Sequence, residues 1–171
     1  MRMKSYAPFI GLFVLIIVCS IRAQQKPDDQ HSRHMSGVNE RGDKAMGFSH
    51  EKTTHHFRLR ANGGVIEVSA NDPQDTKSRD QIRMHLSHIA ALFKEGDFTA
   101  PMFIHDKTPP GAPAMSRLKA EITYSFQETE QGARVRIATA NAEALAAIHD
   151  FLRFQIKDHE TGDSLEVTPD N

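Results

Sequence analysis

Two β-hairpins, each followed by a long amphipathic helix, are the pattern that most constrains the fold of this chain. Apolar and polar residues alternate over residues 53–70 on both sides of the turn Asn62-Gly63-Gly64, which is typical of a hairpin. The same alternation recurs over residues 122–139 around Glu130-Gln131-Gly132. Because the apolar face of such strands must be covered, the sequence predicts a sheet packed against helices.

A helical segment follows each hairpin. The first is predicted over about residues 78–94, because Ser78 and Gln81 have the spacing of a capping box. The second is predicted over about residues 141–159, with Asn141 as its N-cap. The fold class is therefore expected to be α+β, with an antiparallel sheet from two β-hairpins and two long helices on one face.

The connector between the halves is rich in proline. Residues 98–113 contain four prolines and predict a loop, and a short helix is expected over residues 114–121. Both halves end in a similar way, with the motifs Lys94-Glu-Gly-Asp97 and Lys157-Asp-His-Glu-Thr-Gly-Asp163. The sequence therefore has the form of two pseudo-duplicated ββα units.

Residues 1–23 have the three parts of a secretory signal peptide. Arg2 and Lys4 precede an apolar run over residues 9–18, and small residues lead to a cleavage site after Ala23. The apolar run is about half the length of a membrane-spanning helix. We expect a periplasmic or extracellular protein whose mature chain has no integral membrane segment. An uncleaved N-terminal anchor is the alternative.

Cleavage removes Cys19, which is the only cysteine. Lipidation of Cys19 is disfavoured because the bulky Val18 precedes it. The mature chain then has no disulfide, so its core, or its core with a ligand, must stabilise it. Cleavage also leaves 18 basic against 22 acidic residues, a formal charge of −4. This balance argues against nucleic acid and against anionic membrane surfaces as partners.

The remaining chain divides into three predicted regions. Residues 24–50 have few apolar residues and no periodicity, which predicts a flexible tether. Residues 51–165 are predicted to form a single α+β domain, and residues 166–171 a disordered tail.

The predicted domain is unusually rich in histidine. Helical geometry places His85 within the apolar arc of the first long helix and His149 within that of the second. Strand alternation places His55 on the same face as Phe57 and Leu59. These three imidazoles are therefore expected to point toward the interface between sheet and helices.

Clustered buried imidazoles suggest a metal site, because a transition metal binds the neutral ring nitrogens and offsets the cost of burying them. Zinc and copper are the ions that suit such ligands, and the exported location with Met84, Met102 and Met115 favours copper. The alternative is that each histidine is an independent core residue with its own hydrogen-bond partner. The candidate metal ligands are His55, His85 and His149, completed by His88 or His105.

Two other functions stay open. A non-catalytic module could bind a small acidic ligand or a protein partner through arginines on the helix-free face of the sheet, namely Arg58, Arg60, Arg134 and Arg136. A hydrolase could use a histidine general base with an acid from elsewhere in the chain, such as Asp97 or Asp163. The motif Ser116-Arg-Leu-Lys119 lacks the companion motifs of penicillin-recognising enzymes. We therefore assign no catalytic residue.

Four sequence motifs, preceded by the short string Met46-Gly-Phe48, carry a resemblance to a family of small exported bacterial proteins, and the resemblance extends from Met46 to Asp163. Some members of the family carry the label aspartate carbamoyltransferase, but the Ser-Thr-Arg-Thr loop of that enzyme is absent here. The resemblance implies a shared domain and a shared export signal, and it implies no mechanism. The motifs are Thr53-Thr-His-His-Phe57, His85-x-x-His88-Ile89, Ile148-His149-x-Phe151-Leu152-Arg153-Phe154-Gln155-Ile156 and His159-x-Thr161-Gly162-Asp163.

Overall fold

The two predicted hairpins join into a four-stranded antiparallel sheet. The computed structural model describes residues 27–169. The first hairpin consists of β1 (Thr53–Arg60) and β2 (Gly63–Ala70), and the second of β3 (Ile122–Glu128) and β4 (Gly132–Thr139). The strand order β1-β2-β4-β3 pairs the second strand of each hairpin with that of the other.

Helices cover one face of this sheet, which confirms the predicted α+β class. The long helix α2 packs on β3 and β4, and α5 packs on β1, β2 and β4. Two short 3-10 turns precede β1 and β3, at His50–Lys52 and Lys119–Glu121. The helices are α1 (Pro27–Met46), α2 (Thr76–Lys94), α3 (Thr99–His105), α4 (Ala112–Arg117) and α5 (Ala142–Asp158).

The alternation in the strands separates an apolar face from a polar one, as expected for a half-buried sheet. One cross-strand row lies beneath the helices and consists of Phe57, Ile66, Val135 and Phe126. The next row points to the opposite face and consists of Arg58, Val65, Arg136 and Ser125. A shift of one residue would exchange these rows, so burial of the apolar row determines the register.

The start of α2 differs from the prediction. Asp75 is the N-cap, and its carboxylate accepts hydrogen bonds from the backbone N–H of Ser78 at 3.0 Å and from its hydroxyl at 2.7 Å. The proposed capping box of Ser78 and Gln81 is therefore wrong, because the helix begins one turn earlier, where Asp75 supplies the acceptor. At α5 the predicted N-cap is confirmed, since Asn141 accepts hydrogen bonds from the next turn.

The proline-rich connector is more helical than predicted. Residues 98–113 contain α3 and the beginning of α4 instead of a continuous loop. Pro101 and Pro113 both occupy the first turn of a helix, where the backbone nitrogen needs no partner within the helix. Residues 114–121, predicted as one short helix, are divided between α4 and a 3-10 turn.

The segment predicted as a flexible tether is largely helical, which corrects that expectation. Within the described part of residues 24–50, α1 runs from Pro27 to Met46 and packs against α3. Val38 and Met46 are buried. Gly42 lies between them, so the three residues form a stripe with the spacing of one helix face. The stripe is too short to stand out in a polar segment, and docking of α1 on the domain stabilises it.

The chain end is also more ordered than predicted. Thr168 bridges to Arg60 in a parallel arrangement, and its backbone N–H donates to the Leu59 carbonyl at 3.1 Å. The part of the predicted disordered tail up to residue 169 therefore extends the β1 edge. The predicted signal peptide, residues 1–23, lies outside the described residues. None of the described helices is both long and apolar enough to cross a bilayer.

Candidate functional site

A small cavity lies between the sheet, α2, α3 and α5, and imidazoles form part of its wall. Three of the five predicted ligands line it: His55 from β1, His85 from α2 and His105 from the end of α3. His159, which was not among the predicted ligands, joins them from the C-terminal end of α5. The structure thus brings together part of the predicted set and adds one histidine.

The volume and lining of the cavity limit what it can hold. Its volume of about 60 Å³ is enough for a few waters, but it is well below the roughly 300 Å³ at which sites for organic ligands begin. The rest of the wall is mainly aliphatic and aromatic, including Phe57, Leu86 and Phe93. No carboxylate is found among the described residues that line it. The size suits an ion with a water better than an organic molecule.

The imidazole rings lie close to one another. The rings of His55 and His159 are stacked, with centroids 5.8 Å apart and planes 5° apart. His105 meets His159 edge-on at 4.9 Å. Phe48 contacts the rings of both His55, at 6.2 Å, and His85, at 5.7 Å. Ring contacts therefore join His55, His159 and His105 directly, and Phe48 links His85 to them. We call these four residues the histidine cluster (His55, His85, His105 and His159).

Burial keeps three members of the histidine cluster neutral. It lowers the pKa of His55 and of His85 to about 4, and that of His159 to about 3. Repulsion between imidazoles adds to the effect, chiefly from His85 on His55 and from His55 on His159. No hydrogen bond joins these three rings to another described residue. Near pH 7 each ring therefore has an available nitrogen lone pair.

His105 differs from the other members because both of its ring nitrogens are engaged. Nδ1 lies 2.5 Å from the Asp158 carboxylate, and Nε2 lies 2.9 Å from Oε1 of Gln155. Burial lowers the pKa of His105, and Asp158 opposes that shift. The buried Nε2 of Gln155 has no partner in the described part of the chain. We therefore expect His105 to support the cluster and not to act as a ligand.

Asp158 is the charged residue that contacts His105. Burial alone would raise its pKa, but hydrogen bonds with Lys107, His105 and His34 lower it to about 2. Lys107 Nζ lies 2.9 Å and His34 Nε2 lies 3.0 Å from the carboxylate. The negative charge of Asp158 is therefore already matched by its own partners.

Two candidate ligands lie elsewhere, which corrects the expectation that His149 joins His55 and His85 and that His88 is available to complete the set. His149 Nε2 is 2.9 Å from the carbonyl of Arg60 and 3.1 Å from that of Gly63, so it donates to the turn of the first hairpin. His88 is exposed on α2. His149 thus follows the alternative of an independent structural residue, because the turn carbonyls satisfy its N–H.

The methionines also differ from the expectation. Met84 and Met102 are exposed, and Met115 is fully buried in the core without lining the cavity. Met46, at the end of α1, lines it instead. This residue was missed because it lies in the segment interpreted as a tether, although its spacing from Val38 on one helix face was a usable signal.

The residues considered for ligand binding by arginines and for a histidine hydrolase form hydrogen bonds with neighbouring residues. The four arginines do lie on the helix-free face, where their side chains bond to Glu67, Thr168, Gln127 and Asn62. Asp163 pairs with His56 at 2.9 Å and accepts the backbone N–H of Phe57, whereas Asp97 caps Thr99. No described contact joins either acid to the histidine cluster.

The cluster does not form a ready coordination site. Among the described residues, no group of three or more His, Cys, Asp or Glu side chains is arranged to hold a metal ion. The histidine rings would have to rotate to direct their nitrogens at one point. Comparisons with family models, with curated proteins and with solved structures find no match for this chain, so its geometry carries the functional argument.

Proposed function

We propose that this chain is an exported protein that binds one transition-metal ion in the cavity, with His55, His85 and His159 as ligands. The observation that carries the proposal is that three neutral imidazoles, which have no hydrogen-bond partners among residues 27–169, share the wall of one small cavity. The leader-like residues 1–23 support export.

The energetic argument starts from the partial burial of the three rings. A fully buried polar group without a hydrogen-bond partner costs roughly 1–3 kcal/mol, and the half-buried rings of His55, His85 and His159 carry a smaller share of that cost. A metal ion binds neutral imidazole nitrogens directly, so one ion would offset this cost for all three rings. Zinc and copper are the ions that favour imidazole in this way.

The distance between the rings of His55 and His159 is compatible with a shared ion after side-chain rotation. Two nitrogens bound to one tetrahedral zinc lie about 3.3 Å apart, given Zn–N bonds of about 2.0 Å. Rotation about the side-chain torsions of His55 and His159 could redirect their ring nitrogens, because the ring centroids are only 5.8 Å apart. His105, held by Asp158 and packed edge-on against His159, would act as a positioning residue that limits the ring orientations available.

The test is a metal titration of the purified, metal-free protein by calorimetry, with bound metal measured after gel filtration. We expect one equivalent of zinc or copper to bind. His159→Ala should weaken binding by at least about tenfold, because a ligand matters at least as much as an outer-shell partner.

His88→Ala is the matched control, because His88 is exposed on the same helix that carries His85. It should leave binding unchanged, and thermal melting should show that both variants fold. Failure of the wild-type protein to bind either metal, or equal affinities of the two variants, would contradict the proposal.

A further inference from the structure

We infer that the ion held by the histidine cluster is monovalent copper, and that the thioether of Met46 completes its coordination. This inference rests on the proposed metal-binding function and specifies the ion. It adds two observations that the argument for metal binding does not use: the described cavity wall contains no carboxylate, and Met46 lines it.

The charge balance of the cavity favours a monovalent ion. Its wall contains neutral imidazoles and apolar side chains, and the described lining residues include no carboxylate. A divalent ion bound there by neutral ligands keeps its full charge in an apolar environment. Because the desolvation cost rises with the square of the charge, it is about four times larger for a divalent ion than for a monovalent one.

Two carboxylates lie near the cavity without lining it. Asp158 is separated from the cavity by His105 and is already bonded to Lys107 and His34. Glu160 lines the adjoining groove, where its carboxylate lies 2.8 Å from Nε2 of His31. Recruiting either carboxylate as a ligand would break these contacts, so the lining of the cavity itself favours an ion of low charge.

Met46 supplies the soft ligand. Its side chain is 8% exposed and lines the inner cavity. It also lines a wider groove of about 360 Å³ between α1 and the β1 edge, together with His55 and His159. The same three side chains thus separate the groove from the cavity. An ion that passes from the groove into the cavity would therefore pass a thioether and two imidazoles, and the groove itself is also lined by His50 and Glu160.

The chemistry of these donors selects copper in its reduced state. Thioethers are soft ligands that bind Cu(I) and contribute little to zinc sites. Gly42 lies one turn before Met46, and a β-carbon at that position would come within 3.3 Å of the Met46 methyl group. The glycine therefore leaves the Met46 side chain room to adjust.

The experiment is a pair of titrations of the purified protein, with Cu(I) under anaerobic conditions against a coloured Cu(I) chelator and with Zn²⁺ against a zinc indicator. Cu(I) should bind at least about tenfold more tightly than Zn²⁺. Met46→Leu, which conserves volume, should lower Cu(I) affinity by at least about tenfold and leave Zn²⁺ affinity unchanged. Met102→Leu, at an exposed position outside the cavity, is the matched control.

X-ray absorption of the Cu(I)-loaded wild-type protein provides a measurement that does not depend on how the variant folds, and it should show a sulfur neighbour beside nitrogen. Equal affinities for Cu(I) and Zn²⁺, or a copper environment without sulfur, would overturn this inference. If His159→Ala still abolished binding in that case, the proposed function would stand. Failure of both ions to bind the wild-type protein would overturn both proposals.

Discussion

The sheet with α2 and α5 and the layer formed by α1 are stabilised in different ways. On the sheet side, β4 alone contributes the fully buried Ala133, Val135 and Ile137. On the other side, α1 buries Val38 and Met46, and much of its attachment is polar. The first region is an apolar core, whereas the second is a cover held by a few specific contacts.

The polar contacts of α1 end on elements that surround the histidine cluster. Arg41 Nε donates to the Ile104 carbonyl of α3 at 2.8 Å, and His34 reaches Asp158 at the end of α5. The candidate site thus lies at the boundary between a rigid core and a weakly apolar cover. This placement predicts that α1 can open locally while the core stays folded.

We expect acidification to cause the largest loss in the free energy of unfolding, through the histidines at this boundary. The unfolded histidines have a pKa near 6.5, whereas folding lowers the pKa of His55 and His85 to about 4 and that of His159 to about 3. The unfolded state therefore binds more protons below pH 6.5, so stability present above that pH is lost as pH falls toward 3.

The three shifts have the same direction, so their losses of stability add, although the partial exposure of all three rings reduces the contribution of each. Urea denaturation of the metal-free protein at pH 7 and pH 5 measures this loss. The double variant His55→Phe, His159→Phe should flatten the pH dependence, while His88→Ala should keep it. An unchanged profile in the double variant would contradict the assignment.

Truncation within the core should have the next largest effect. Leu152→Ala removes a fully buried side chain of α5, and we expect a loss of about 2–5 kcal/mol in the free energy of unfolding. Because the core is shared by all four strands, the whole domain should unfold in one less stable transition. The matched control is Leu165→Ala, at an exposed position, which should change stability by less than about 0.5 kcal/mol. Similar losses in both variants would argue against the described packing.

Weakening the attachment of α1 should cause a smaller loss of stability that is confined to this helix. Arg41→Ala removes the hydrogen bond to Ile104, a contact from a charged donor that contributes about 1.5–3 kcal/mol. Hydrogen exchange should show lost protection in α1 and unchanged protection in β4 and β2. Arg33→Ala, at an exposed position of the same helix, should change neither region. Loss of protection in the sheet as well would mean that α1 and the core form one cooperative unit.

Periodicity within the chain was enough to predict the hairpins, the two long helices and their common face. The alternation that places Phe57 beneath the helices and Arg58 on the open face is local information, and so is the N-cap at Asn141. Helix α1 could not be predicted in the same way, because its few apolar positions become stabilising only when α3 is beside them.

The histidines show where local information ends. Helical geometry places His149 and the terminal His159 about 80° apart around α5, within one broad stripe, and their ten-residue separation corresponds to about 15 Å along the helix. Periodicity establishes the direction in which each side chain points from the helix axis. On that basis either histidine could have lined the cavity with His55. Docking established how far along α5 the cavity lies, and it placed His159 in the wall and His149 at the hairpin turn. The direction in which a side chain points from its own helix or strand depends on residues nearby in the sequence. Whether side chains of different elements come into contact depends on how the apolar faces of those elements pack.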